Sequence, residues 1–157
     1  MSDRALVVSV ATSIARPIEV VRRHFTDVEH HIRTPVHPGV VFTPLAHSGP
    51  ERRFRKTIHI LGIAVVDEVV LRQQADGSIT EDSVAGPSTG MRLVSRFRAD
   101  GPDRTATTLT VEMPVPGLKR LATPLLRRFL LGRLTKALDE DRRDLESGRY
   151  PSASHQR

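Results

Sequence analysis

Residues 117–150, GLKRLATPLLRRFLLGRLTKALDEDRRDLESGRY, decide how this chain folds, because they hold the only long unbroken helical apolar stripe in the sequence. Leu118, Leu121, Ala122, Leu125, Phe129, Ala137 and Leu138 recur at spacings of three, four, seven and eight, which lines one helix face with apolar groups. Leu126, Leu130, Leu131 and Leu134 widen that face, while Arg127, Arg128, Arg133, Lys136, Asp139, Glu140, Arg142, Arg143 and Asp144 fill the remainder. The helix is expected to be solvated behind and buried in front. Pro124 has no backbone N–H to give, so a fresh helix capped by Thr123, with Pro124 in its first turn, is expected there. Gly148 and Pro151 supply the stop.

Upstream the chain reads as strands. Leu6 to Ile14, LVVSVATSI, is rich in β-branched residues and ends before Pro17. Pro17 opens a helix carrying Ile18, Val21, Phe25 and Val28, and Thr26 with Glu29 has the spacing of a capping box that starts a second short helix. Strand-like runs follow from Val40 onward, separated by turn signals at Gly62, Asp76-Gly77, Gly86-Pro87 and Asp100-Gly101, as in an antiparallel meander. The expected order is strand, two short helices, six strands and one long C-terminal helix, in one domain over residues 1–150 with a disordered tail at 151–157.

Composition narrows the function classes. A length of 157 residues suits one core, or a smaller core around a cavity. With no cysteine, disulfides, thiolate nucleophiles and iron–sulfur clusters are excluded. No run reaches the ~20 apolar residues that span a bilayer, so a cytoplasmic protein is expected. The net charge of +6 permits transient contact with an anionic membrane surface, but an aromatic content of 4% supplies no base-stacking platform. Nucleic-acid binding is not expected.

A curved antiparallel sheet can grip the long helix against its concave face, giving an α+β architecture. At IARPIEVVRRHFTDVE and LTKALDEDRRDLE the chain resembles the START-related, polyketide-cyclase-like (SRPBCC) superfamily with its helix-grip fold. The resemblance implies a deep apolar cavity between sheet and helix that holds lipids, quinones, isoprenoids or polyketides. It implies no shared catalytic set, and no cofactor is expected. Binding of a hydrophobic small molecule is the leading expectation, and the alternative is an enzyme, either of the cyclase or dehydratase type or a metal-dependent protein like the ring-hydroxylating oxygenases.

Strand alternation then proposes side chains for the cavity. Leu93 and Phe97, with Leu109, Val111 and Met113, should face inward, and Leu125 and Phe129 should meet them from the helix. Access is expected between the second short helix and the loops after Gly62 and Gly86, while Gly132 would serve close packing or leave room for ligand. For chemistry, Asp67 and Glu68 lie mid-strand, so one faces the cavity, and His59 on the preceding strand is placed to meet it. The competing reading pairs both carboxylates with Arg55, Arg92, Arg96 or another strand cation.

His24, His30, His31 and His37 lie within fourteen positions. DVEHHIRTPVH, with Asp27, His30 and His37, partly resembles the mononuclear iron motif of ring-hydroxylating oxygenases, with Asp139, Asp141 or Asp144 as a third ligand. The interval from His30 to His37 is longer than in that motif. Adjacent helical residues also diverge by about 100°, so at most one of His30 and His31 can share a site with His37. No stoichiometric metal is expected.

Overall fold

The structure, a computed structural model, describes residues 5–46 and 48–152, and omits the side chains of residues 118–120. The chain runs β1 (Leu6–Ile14), α1 (Ile18–Thr26), α2 (Val28–Arg33), β2 (Val40–Pro44), β3 (Arg52–Ile60), β4 (Ile63–Gln73), β5 (Ile79–Ala85), β6 (Arg92–Ala99), β7 (Thr105–Met113), a 3-10 turn (Gly117–Ala122) and α3 (Thr123–Glu146). All pairings are antiparallel, in the order β1-β7-β6-β5-β4-β3-β2. This is the expected helix-grip architecture. Because β1 and β2 occupy opposite edges of the sheet, the two short helices carry the chain from one edge to the other.

Local chemistry explains the element ends. α1 follows Pro17, and α2 is capped by Asp27, whose side chain accepts a 2.9 Å hydrogen bond from the His30 backbone N–H. Thr26, expected as that cap, instead donates its hydroxyl back to the Arg23 carbonyl at 3.0 Å. α3 starts at Thr123 with Pro124 in its first turn, but the capping position is Ala122. Leu61 and Gly62 form the two-residue turn between β3 and β4, both at positive φ, as hairpin twist requires.

The core has the alternation of a half-buried sheet. Leu6 and Val8 of β1, Leu109 and Val111 of β7, and Val115 pack against Leu130, Leu134 and Leu138 of α3. A second cluster joins Ile14, Val20, Val21, Leu145 and Tyr150, and a third joins Phe54, Val69, Leu71 and Ile79. The inward row of α3 is therefore Leu126, Leu130, Leu134, Leu138, and then Asp141 and Leu145. Leu121 and Leu125, placed on the buried face by the sequence pattern, are 84% and 73% exposed. Asp144, placed on the solvated back, is buried. Gly132 packs against nothing, since a Cβ there would meet no atom within 4 Å.

Of the expected tail, residues 153–157 lie outside the described residues. Pro151 and Ser152 are held, with the Pro151 carbonyl accepting from Arg23 and the Ser152 hydroxyl from Arg16 at 3.1 Å.

Candidate functional site

Between the concave sheet face and α3 lies a cavity of about 380 Å³. Its apolar wall includes Phe54, Val69, Leu71, Leu93, Leu109, Val111 and Met113 from the strands and Leu126, Phe129, Leu130 and Leu134 from α3. Five of the seven expected lining residues are thus in place: Leu93, Leu109, Val111, Met113 and Phe129. Phe97 keeps the inward orientation, but its ring packs edge-to-face on Phe25 at 5.1 Å, outside the cavity wall. Leu125 points to solvent, one residue away from the Leu126 that does line the cavity.

The three residues singled out for chemistry separate. Asp67 faces the cavity and is buried, receiving hydrogen bonds from the Ser88 backbone N–H at 2.8 Å and the Ser88 hydroxyl at 2.7 Å. Gly86 makes this possible, because a Cβ there would overlap the Val66 carbonyl and the Asp67 carboxylate. The segment after Gly86, expected to be part of a gate, is therefore tied to the cavity wall. Glu68 faces the other side and pairs with Arg55 at 3.4 Å. His59 lies opposite Ala64, on the same outer face as Glu68, and is exposed. It cannot meet Asp67, which lies opposite Lys56. Lys56 itself reaches across the cavity wall to Glu81 at 2.6 Å.

At one end of the cavity the apolar wall gives way to His31, His37, Glu140 and Asp141. These belong to a larger buried cluster built by α1, α2, the segment after α2 and the last turns of α3. His24 follows Val20 and Val21 on the buried face of α1 and is fully inaccessible. Its Nε2–H donates to Asp144 Oδ2 at 3.0 Å, and His30 Nε2 reaches the same oxygen at 2.7 Å. His31 Nδ1–H donates to the Asp27 carbonyl at 2.9 Å, and His37 Nδ1–H donates to Glu140 Oε2 at 2.9 Å. The remaining ring nitrogens turn toward one atom: Asp141 Oδ1 lies 3.1 Å from His37 Nε2, 3.4 Å from His31 Nε2 and 3.9 Å from His24 Nδ1. Tyr150 closes the cluster, packing edge-on against His24 and His30 and donating its hydroxyl to Asp27 at 3.1 Å.

Burial and charge set the protonation here. Burial lowers the pKa of His24 to about 4 despite the nearby Asp141 and Asp144, so its ring is neutral. Burial also works against the charge on His37, but Asp141 and Glu140 outweigh it and raise the pKa to about 8. For Asp141, burial favours the neutral acid, yet the His37 charge and hydrogen bonds from His31 and His37 hold it well below the usual carboxylate range.

The sequence matches the family described as polyketide cyclase/dehydrase and lipid transport over residues 5–146. The chain belongs to that family. No curated protein matches it. Among solved structures it is similar to a protein from Thermus thermophilus, with 19% identity, a TM-score of 0.78, and 91% of this chain and 99% of that one covered. The Zhui aromatase/cyclase from a Streptomyces species aligns with 17% identity, a TM-score of 0.76, and 96% and 98% covered. A START superfamily protein from Mycobacterium smegmatis aligns with 20% identity, a TM-score of 0.72, and 90% and 97% covered. These likenesses establish the fold that the polyketide cyclase/dehydrase family shares.

His24 is the residue that reading the sequence left without a role. The signal was present, since His24 follows Val20 by four and Val21 by three within α1 and Asp141 follows Leu134 by seven within α3, which places each on the inward side of its helix.

Proposed function

We propose that this protein binds a hydrophobic small molecule, of lipid, quinone, isoprenoid or polyketide type, in the cavity between sheet and α3. The observation that carries the proposal is the cavity itself, about 380 Å³ and walled by leucine, valine, methionine and phenylalanine from both layers. That volume falls within the ~300–1,000 Å³ of small-molecule sites, whose walls are mostly apolar with a few convergent polar groups. The polar end at His31, His37 and Glu140 would receive a hydroxyl, carbonyl or carboxylate of the ligand and fix its direction. Native mass spectrometry of the purified chain is the direct test. A co-purified organic molecule, lost when Val111→Trp fills the cavity of a still-folded protein, supports binding. A ligand retained unchanged in that variant refutes the site.

A second reading, turnover of the cyclase or dehydratase type, rests on Asp67, the one member of the Asp67, Glu68 and His59 set that faces the cavity. It requires Asp67→Asn to abolish conversion of a bound polyketide-like substrate without releasing it.

Delivery of such a ligand would involve transient contact with an anionic membrane surface. Leu61 is 98% exposed at the tip of the β3–β4 hairpin, beside the cavity-lining Ile60, and Leu125 is exposed beside Leu126. Arg127 and Arg128 are exposed next to it and supply charge of the right sign. Among the described residues no helix is long and apolar enough to cross a membrane, so the contact would be peripheral.

A further inference from the structure

The structure assigns a metal-binding site to this chain: His24 Nδ1, His31 Nε2 and Asp141 Oδ1 form a two-imidazole, one-carboxylate set for a divalent first-row transition ion at the polar end of the cavity. Hydrogen-bond partners fix what each ring offers. Nε2 of His24 is spent on Asp144, which leaves Nδ1 as its lone pair, and Nδ1 of His31 is spent on the Asp27 carbonyl, which leaves Nε2 toward Asp141, where an incoming ion would displace the hydrogen it shares with that carboxylate. The His24 lone pair faces the same carboxylate oxygen at 3.9 Å, an arrangement that repels unless a cation stands between. His24 Nδ1 is buried and has no hydrogen-bond partner, although its residue is 0% exposed. An orphaned imidazole nitrogen in a dry interior is costly, and a metal ion resolves the cost.

The spacing fits. The ligating atoms of His24, His31 and Asp141 lie within 4.8 Å of one another. Metal–ligand bonds of ~2.0–2.2 Å put neighbouring donor atoms about 3.0–3.5 Å apart, a spacing that His31 already holds to Asp141 at 3.4 Å and that His24 reaches by closing from 3.9 Å. Each of the two imidazoles also has the outer hydrogen bond that orients metal-bound histidine: His24 to Asp144 and His31 to the Asp27 carbonyl. Imidazole with one carboxylate suits zinc, iron(II), cobalt(II) or manganese(II) and not calcium, which takes oxygen ligands. His31 and Asp141 line the cavity while His24 does not, so a free coordination position would open toward bound ligand.

The test uses the full chain, freed of any affinity tag, stripped with a chelator and titrated separately with zinc, iron(II), cobalt(II) and manganese(II). The expected result is one equivalent per chain for at least one ion, with Tm rising by roughly 5–10 °C at a hundred times Kd. Cobalt(II) should show ligand-field absorption of a nitrogen-rich site. His31→Gln, at a partly accessible position, should weaken binding at least tenfold, as should Asp144→Asn, which leaves the ligands and removes the carboxylate behind His24. Less than a tenth of an equivalent for every ion, with no thermal shift in the unaltered chain, overturns the proposal. Binding abolished by His30→Gln but untouched by His31→Gln would put the ion against Asp144 and overturn this assignment. The result stands apart from the cavity reading, because the probe is the metal alone.

Discussion

Asp141 sits where the leucine row of α3 would place another apolar side chain, seven residues after Leu134 and three after Leu138. Its carboxylate is only 5% exposed and faces three imidazoles, so its removal leaves buried polar groups without their common partner. Breaking a buried charge network by deleting one member costs about 3–5 kcal/mol. Asp141→Ala should lower the unfolding free energy by that order in urea titration with the m-value unchanged, and a loss below ~1 kcal/mol would mean the cluster is already hydrated. Leu61 presents the opposite case. It holds φ +51° with its side chain almost wholly in water, a conformation that costs a non-glycine residue roughly 1–2 kcal/mol. Leu61→Gly relieves that strain, and a gain of about 1 kcal/mol in the same titration is expected. No gain would show that the leucine makes a compensating contact.

At the scale of elements, the register of α3 was the least legible feature. Leucines or phenylalanine at Leu121, Leu125, Leu126, Phe129, Leu130, Leu131 and Leu134 cover well over half the helix circumference, so periodicity alone permits several inward faces. The sheet chooses between them: Leu130, Leu134 and Leu138 meet Leu6, Val8, Leu109 and Val111, and this turns Leu125 outward. The rotation yields a paired prediction. Leu134→Ala should cost about 2–5 kcal/mol as a core truncation, while Leu125→Ala should stay within about ±0.5 kcal/mol. Equal costs at the two positions would restore the register first read from the sequence. Gly132 offers a further check, because it lies in mid-helix, exposed, with open space around its missing Cβ. Gly132→Ala should stabilise the chain by about 1 kcal/mol through helix propensity. A loss instead would point to a partner or ligand packed at that place.

For the whole molecule, the order of elements could be read because turn chemistry is local: Gly62, Asp76-Gly77, Gly86 and Asp100-Gly101 each sit at a strand end. The site was harder, because its parts are distant in sequence and meet only through packing, with His24 and Asp144 separated by 120 positions. Strand alternation still placed Leu93, Leu109, Val111 and Met113 correctly, while His59 was misplaced because the side it faces depends on the β3–β4 pairing. With Ile60 opposite Ile63, His59 falls on the outer face with Arg55 and Glu68. The same hairpin supplies the last prediction. A chain of net charge +6, with exposed Leu61 and Ile63 at one tip and Leu121 and Leu125 ahead of Arg127 and Arg128, combines apolar anchors with cations. Such a surface should sediment with vesicles containing phosphatidylserine and not with purely zwitterionic ones, and the binding should fade by about 0.5 M salt as screening shortens below ~5 Å. Leu61→Ser should weaken the association severalfold while leaving the fold intact, since the side chain touches little of its own protein. Equal sedimentation with both vesicle types, insensitive to salt and to Leu61→Ser, would remove the membrane from the account and leave the cavity to load from solution.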